Sequence, residues 1–217
     1  MKNIIQNIRK LLFDNTCVCC GEKASDNLIY LCYNCLDKIV RQKSLNKVED
    51  TYYMWAYKGE FRKLLLEYKN NSRLALGKII STLIEDEIFK VVSEEDIDYI
   101  IPIPINFRRE QVRGFNQVEE ILKNLNYSFF KTNRIKNTKK MFKILDKEKR
   151  ENNIKNSFKV DKEFKTKNIL IFDDIITTGA TIEEFKRELI KNGEVNKIVV
   201  FSLSASKTYM NLNKRMC

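Results

Sequence analysis

The sequence predicts an α/β fold, a mostly parallel sheet flanked by helices, with a small N-terminal cysteine module. Two observations carry this prediction. Apolar segments typical of strands alternate with amphipathic segments typical of helices, a pattern that favours a parallel sheet covered on both faces. Five of the six cysteines lie between Cys17 and Cys35, outside that alternation. We therefore predict a cysteine module at 1–43 and an α/β domain at 44–217.

The individual elements are predicted from periodicity and from the residues that interrupt it. Pro102 and Pro104 end an apolar strand, because proline cannot donate to a sheet ladder. The last predicted helix buries a face formed by Ile182, Phe185, Leu189 and Ile190. In chain order the predictions are a helix at 4–13, a strand at 51–59, helices at 60–69 and 73–92, a strand at 97–105, a helix at 115–125, strands at 127–135 and 168–174, a helix at 179–193 and a strand at 197–204.

Composition limits the class of protein and its partners. The 217 residues are 43% apolar, but the N-terminus lacks the apolar block of a signal peptide, and no window matches a membrane span. These features predict a cytoplasmic protein without membrane insertion. The formal net charge is +11, and residues 131–167 hold 14 Lys or Arg against 5 Asp or Glu. A phosphate-rich partner and a merely solvated basic face explain that segment equally well.

The cysteines are spaced as two metal-binding pairs. Cys17 and Cys20 form one C-x2-C pair, and Cys32 and Cys35 form the second. Because the chain has no histidine, four thiolates around one structural Zn2+ are the expected site, with four buried free thiols as the alternative. Cys19 is then a spare thiol, and Cys217 has no readable role.

The segment ILIFDDIITTGAT, at 169–181, predicts an anion site. A strand that delivers a short loop into a helix N-terminus directs free backbone N–H groups and the positive end of the helix dipole at one point. Gly179 and Ala180 let a phosphate approach the backbone closely, and hydroxyl groups add further hydrogen bonds. Those hydroxyls belong to Thr177, Thr178 and Thr181.

Two acids, Asp173 and Asp174, precede this loop. They would repel a phosphate that they faced directly, so they must contact something neutral or cationic beside it. The vicinal hydroxyls of a ribose, or a magnesium ion, satisfy that requirement. The motif therefore predicts a phosphorylated ribose as ligand, against the alternative of a strand end with incidental acids.

The same thirteen residues resemble the phosphoribosyl-pyrophosphate (PRPP) motif of type I phosphoribosyltransferases. The resemblance implies a type I phosphoribosyltransferase-like fold. It also implies that Asp173 and Asp174 hold the ribose 2'- and 3'-hydroxyls and that the loop 177–181 cradles the 5'-phosphate. Mg2+ would arrive with the pyrophosphate.

Nearly the whole chain resembles the ComF family, phosphoribosyltransferase-like proteins named for competence and DNA uptake. That family joins an N-terminal four-cysteine ribbon to a PRPP motif, and three further segments agree with it. YKGEFRKLLLEYK (57–69) resembles a family block that ends in lysine, and IIPIPINFRREQVRGFNQVE (100–119) its Pro-x-Pro strand and arginines. LDKEKRENNIKNSF (145–158) keeps a family frame in which Phe158 is interpreted as packing. Possible pyrophosphate or DNA contacts are Lys69, Arg108, Arg109, Arg113 and Arg150.

Three functions are compatible with these features. We favour a DNA-uptake protein that binds PRPP or a similar 5'-phosphate and grips single-stranded DNA through the basic segment 131–167. The alternatives are an active phosphoribosyltransferase with an unknown acceptor, and an adaptor whose zinc ribbon docks other DNA-uptake proteins. In the favoured hypothesis, aromatic side chains interleaved with the basic residues stack on bases. These are Phe130, Phe142, Phe158 and Phe164.

Overall fold

The computed structural model describes residues 16–70, 73–136, 154–191 and 193–213. The predicted helix at 4–13 lies outside these residues. The described helices are α1 (Tyr33–Arg41), α2 (Gly59–Asn70), α3 (Leu74–Glu94), α4 (Phe107–Arg113), α5 (Gln117–Asn124), α6 (Ala180–Lys191) and α7 (Lys207–Asn213). The described strands are β1 (Asn46–Val48), β2 (Thr51–Ala56), β3 (Tyr99–Pro102), β4 (Asn133–Arg134), β5 (Phe158–Lys159), β6 (Asn168–Ile176) and β7 (Lys197–Ala205).

The main sheet has five strands in the order β1-β2-β7-β6-β3. Strands β2, β7, β6 and β3 are parallel to their neighbours, and only the edge strand β1 is antiparallel. This order confirms the predicted mostly parallel sheet. The carboxyl ends of its parallel strands share one edge, where α/β sheets hold their ligands.

Alternate side chains of β6 divide the core into two layers. Leu170 and Phe172 pack into the cluster that includes α2, α3 and α5, whereas Ile169 and Ile171 pack into the cluster that includes α6. Successive side chains of a strand point to opposite faces, so a strand apolar at every position needs helices on both sides. The flanking helices therefore confirm the sequence-based interpretation of this strand as fully buried.

The helix α6 corrects one predicted core residue. Ile182, Phe185 and Leu189 are buried as predicted, but Ile190 is 59% exposed. Successive helical residues are about 100° apart around the axis, which places position 190 beside the buried stripe rather than in it. Ile190 was assigned to the buried face wrongly for this reason.

Two predicted strands have different limits in the structure. In the predicted strand 127–135, only Asn133 and Arg134 are paired, in a separate two-stranded antiparallel sheet with β5. In contrast, β6 continues through both acids to Ile176, because its last residues still pair with β7. Among the described residues, no helix is both long enough and apolar enough to cross a bilayer.

Candidate functional site: a cysteine cluster and a diacid loop

The four predicted cysteine ligands come together in space. The sulfur atoms of Cys17, Cys20, Cys32 and Cys35 all lie within 4.8 Å of one another, and those of Cys20 and Cys32 are 3.7 Å apart. Zn–S bonds of about 2.3 Å in a tetrahedron require sulfur atoms about 3.8 Å apart. The cluster therefore fits a single tetrahedral metal ion such as zinc.

Backbone geometry shapes the first cysteine pair. The amide of Gly21, at φ 82°, donates to the carbonyl of Cys17 at 2.9 Å, which closes a tight turn. Burial works in the opposite direction, but the backbone N–H groups of Cys20, Cys32 and Cys19 together lower the pKa of Cys17 to about 6. A lowered pKa favours the thiolate, the form that binds metal.

Cys19 is placed differently from the four clustered cysteines. Its Sγ lies 3.4 Å from the backbone carbonyl of Glu60, outside the sulfur cluster. Burial, followed by the neighbouring Cys17 thiolate, raises the pKa of Cys19 to about 12, so this side chain stays a neutral thiol at physiological pH. The geometry agrees with the interpretation of Cys19 as a spare thiol.

The cysteine cluster is attached to the α/β core through α2. Lys63 of α2 donates to the carbonyl of Cys19 at 2.6 Å, and Trp55 of β2 donates to the carbonyl of Ile39 at 2.9 Å. Cys17 and Cys35 belong to the same buried cluster as α2 and α3. The cysteine module is thus packed against the N-terminal half of α2.

The diacid pair lies near the carboxyl end of β6. The Oδ1 atom of Asp173 accepts a hydrogen bond from the amide of Asp174 at 2.8 Å. Burial, followed by the charge of Asp174, raises the pKa of Asp173 to about 7. A raised pKa favours the protonated carboxyl, which can donate a hydrogen bond as well as accept one.

The loop after β6 contacts Ser206 and the helix α7 that follows it. Ser206 donates its hydroxyl to the carbonyl of Thr177 at 2.7 Å, and Gly179 adopts φ 84° with the ring of Tyr209 beside it. The Oγ1 atom of Thr178 is buried, and no group in the described part of the chain hydrogen-bonds to it. Ala180 and Thr181 begin α6, so their backbone N–H groups belong to the helix N-terminus.

Lys69 of α2 pairs with the second acid of the motif. Its Nζ lies 2.7 Å from Oδ2 of Asp174, and the two side chains are only 14% and 16% exposed. Arg109 and Arg113 of α4 lie close enough for the Asp174 carboxylate to raise their pKa values, although burial, the larger effect, lowers them. Segments distant in sequence thus bring cations to the acids.

Sequence reasoning missed Arg134 of β4 as a member of this site. Burial, followed by the charge of Arg109, lowers the pKa of Arg134 to about 10, whereas the nearby Asp173 raises it. The guanidinium also lies over the ring of Phe158, 5.3 Å from its centroid. No motif marked this residue, since it was one of many cations in the basic segment.

Gln117 and Tyr57 were also not singled out. Gln117 is fully buried, and its Oε1 accepts a hydrogen bond from Arg113 at 2.8 Å. Tyr57 follows β2 directly and lies near enough to Asp174 for the carboxylate to raise its pKa, after burial as the main cause. Both residues lie in the segments 57–69 and 100–119, which resemble the ComF family, and that resemblance could have indicated them as site residues.

The remaining predicted contacts fall into three groups. Arg108 is exposed on α4, and Arg150 and Phe142 lie outside the described residues. Phe158 and Phe164 are 3% and 1% exposed, so their predicted stacking on DNA bases is wrong, because both rings fill the core beside α6. The interpretation of Phe158 as a packing residue is confirmed.

Several lysines in the described part of the basic segment have acidic or aromatic partners. Lys159 pairs with Asp161 and Lys165 with Glu163. Lys162 lies over the rings of Tyr99, Phe130 and Phe164 at 4.1 to 5.3 Å from their centroids. The sequence-level charge excess therefore overstates the basic surface that these particular residues offer.

Comparison with curated proteins identifies relatives over most of the chain. The DNA utilization protein YhgH of Shigella flexneri is 26% identical over 185 residues, which cover 82% of this chain and 78% of that protein. YhgH of Escherichia coli K12 is 25% identical over the same length. Competence protein F of Haemophilus influenzae is 32% identical over 114 residues, 48% of this chain and 49% of that protein. The chain is a homologue of YhgH and Competence protein F.

These homologues confirm the resemblance to the ComF family. No family model matches the chain. Among solved structures, a hypoxanthine phosphoribosyltransferase from Staphylococcus aureus is similar over 61% of this chain and 66% of its own, with 13% identity and a TM-score of 0.38. That score is too low to support a fold assignment, so the fold class rests on the strand order and register described above.

Proposed function

We propose that this ComF and YhgH homologue binds PRPP, or a related ribose 5-phosphate, at the β6–α6 loop and that it acts in DNA uptake. One observation carries the ligand assignment: a hydroxyl-lined loop, two acids and cations from α2, α4 and β4 meet at the carboxyl edge of the sheet. A sugar that carries a phosphate at one end and a diphosphate at the other matches that distribution of charge.

The 5'-phosphate is assigned to the loop 177–181. This loop leads into a helix of 12 residues, whose first amides and dipole favour an anion. A buried hydroxyl without a partner is costly, and the hydroxyl of Thr178 would gain one from a phosphate oxygen. Gly179 adopts the left-handed φ of 84° that this tight loop requires and that glycine tolerates best.

The other end of the ligand is assigned to the acids and the cations beside them. Carboxylates of Asp173 and Asp174 accept hydrogen bonds from the ribose hydroxyls. Lys69, Arg109 and Arg113 supply positive charge next to Asp174, where the diphosphate would lie. Guanidinium groups suit this role because they bind phosphate oxygens in pairs.

The protein itself does not offer a good magnesium cage at this site. Asp174 is already paired with Lys69, and Asp173 lies close to Arg134. Mg2+ requires several free oxygen ligands, whereas this surrounding is rich in cations. The residues present therefore fit an anion better than a metal ion held by protein oxygens.

For the cysteine cluster we propose a structural Zn2+ ion. Four sulfur ligands without an open position are typical of sites that stabilise a fold rather than catalyse a reaction. The division into a module at 1–43 and a domain at 44–217 remains part of this proposal.

The role in DNA uptake is proposed from the relatives. Their names refer to DNA utilization and competence. Single-stranded DNA would bind the basic segment 131–167 through its phosphates, since the buried aromatic rings at 158 and 164 are withdrawn from stacking. The proposal also includes other DNA-uptake proteins as binding partners and a location in the cytoplasm.

A thermal-shift titration tests the ligand assignment. We expect PRPP with Mg2+ to raise the melting temperature of the wild-type protein. We expect no effect on the double variant Asp173→Asn with Asp174→Asn, which keeps the side-chain shape but replaces two carboxylates with neutral amides. The matched control is Glu85→Gln with Asp86→Asn, two exposed acids on α3, which should respond like wild type. An unchanged response in the first variant would show that the ligand binds elsewhere.

The DNA assignment is tested separately by binding of a single-stranded oligonucleotide at increasing salt. Phosphate contacts release counterions, so affinity should fall steeply as salt rises. Affinity that does not depend on salt would contradict phosphate contacts.

A second candidate function is phosphoribosyl transfer. The cations beside Asp174 favour it, because they would stabilise a pyrophosphate that leaves the ribose. Its test is the release of pyrophosphate from PRPP in the presence of nucleobases and small amines. Release that requires one acceptor and is lost in the double Asp173 and Asp174 variant would establish the enzyme.

A further inference from the structure

The ion pair between Lys69 and Asp174 occupies an acid that the proposed ligand needs. The two charged atoms are 2.7 Å apart, and both side chains are largely removed from solvent. Breaking a buried pair on one side leaves the other charge without compensation, and this is strongly unfavourable. A ribose that takes Asp174 must therefore displace a lysine with little water around it.

The position of Lys69 is fixed by its neighbours. The adjacent Tyr68 is fully buried and donates its hydroxyl to the carbonyl of Gln117 at 2.9 Å. The Tyr68 ring also lies directly against Gly77, where an added Cβ would come within 2.8 Å of the phenol oxygen. The end of α2 is thus packed between α3 and α5, and Lys69 cannot simply move away with its backbone.

Among the described residues, Asp174 is the acid that pairs with Lys69, and no second carboxylate lies within ion-pair distance of its ammonium group. Arg109 and Arg113 interact electrostatically with the same Asp174 carboxylate, so the surroundings of that acid are rich in cations. Asp173 also interacts with Lys69, but burial raises the pKa of this acid and so weakens its charge. A Lys69 side chain released from Asp174 would therefore remain among cations.

We propose that Lys69 is a specificity-determining residue that holds Asp174 closed until the ligand supplies a diphosphate. The inference rests on the proposed function of the same site. Ribose 5-phosphate brings a diol for Asp174 but no new anion for the displaced lysine. PRPP brings both, so Lys69 exchanges a carboxylate for a phosphate oxygen and stays paired. The site then selects PRPP over ribose 5-phosphate.

Calorimetric titration of both ligands, in buffer with Mg2+, tests this exchange. Wild-type protein should bind PRPP much more tightly than ribose 5-phosphate. Lys69→Met keeps most of the side-chain length without the charge, so we expect PRPP affinity to fall about 10-fold or more and ribose 5-phosphate affinity to rise several-fold. The opposite signs of the two changes are the diagnostic result.

Two variants serve as controls. Lys69→Arg keeps the charge and should keep the preference for PRPP, whereas Lys78→Met removes a lysine from an exposed position of α3 and should leave both affinities unchanged. If Lys69→Met fails to fold, Lys69→Gln provides the same comparison with a polar side chain.

The outcomes separate this inference from the proposed function. Suppose that wild-type protein binds PRPP but that Lys69→Met binds ribose 5-phosphate no more tightly than wild type does. This result would overturn the proposed exchange of partners by Lys69 and would still support the PRPP site. Absence of binding of either ligand to wild-type protein would overturn the proposed function, and this inference with it.

Discussion

The cysteine cluster and the diacid loop are both built on short motifs, but only one of them is complete within its motif. All four sulfur ligands come from 19 consecutive residues, and their atoms already lie at distances that suit a metal ion. The diacid loop also gathers its hydroxyls locally, yet its acids are neutralised by Lys69, Arg113 and Arg134 from three distant segments. The proposed metal site is thus set by a local motif, whereas the proposed anion site depends on contacts between distant parts of the fold.

The largest expected effect follows from removal of a metal ligand. Cys35→Ser should release the metal and unfold the module, because binding of a structural zinc contributes on the order of 10 kcal/mol to folding. Metal content by mass spectrometry and the melting temperature measure this. Cys19→Ser is the matched control, since Cys19 lies outside the cluster, and it should retain one metal per chain. Equal metal loss in both variants would contradict the four-ligand assignment.

A pair of glycine variants sharpens the comparison between the two sites. Gly21 and Gly179 have φ values of 82° and 84°, so an alanine at either position should cost a similar amount, about 1 kcal/mol. Gly21→Ala should weaken metal retention and spare the PRPP-induced rise in melting temperature, and Gly179→Ala should do the reverse. If either variant impairs metal retention and the PRPP-induced rise in melting temperature equally, the two sites do not behave independently.

The smallest expected effect is the pH dependence that Asp173 contributes in the diacid site. The pKa of Asp173 is raised from 3.8 to about 7, so between these values the folded protein holds a proton that the unfolded chain has lost. Stability from this group is therefore present at low pH and is lost as pH rises through about 7. Asp173→Asn should remove that slope.

Melting temperatures of ligand-free protein between about pH 5 and about pH 8 measure this slope. Relative to Asp173→Asn, the wild type should lose a few degrees across the range. Parallel curves for the two proteins would show that Asp173 is not buried beside its neighbours as described.

The sequence predicted those parts of the two sites that are formed by neighbouring residues of the chain. Cys17, Cys20, Cys32 and Cys35 were found because C-x2-C spacing determines the geometry of a knuckle. Strand β6 and helix α6 were found because their apolar periodicity is strong and uninterrupted. In each case the pattern that allows the prediction is contained in a short stretch of consecutive residues.

What sequence did not predict depends on contacts between distant segments. Arg134 reaches the site because β4 pairs with β5, a pairing of two residues that leaves no periodic pattern. Phe158 and Phe164 were counted as surface aromatics because basic residues surround them. Contacts of Phe158 with α6, and of Phe164 with Tyr99 and Phe130, bury both rings. Burial of isolated aromatic residues in a charged segment is decided by tertiary structure.

Helix α2 lies between the cysteine cluster and the diacid loop and contacts both. Near its beginning, the carbonyl of Glu60 and the side chain of Lys63 contact Cys19, and Lys69 lies about 15 Å along the helix from Gly59. The proposed metal would fix only the beginning of this helix, whereas Tyr68 fixes the end that carries Lys69. Loss of the metal would therefore leave the lysine held by the core, so the two proposed sites can change independently although one helix joins them.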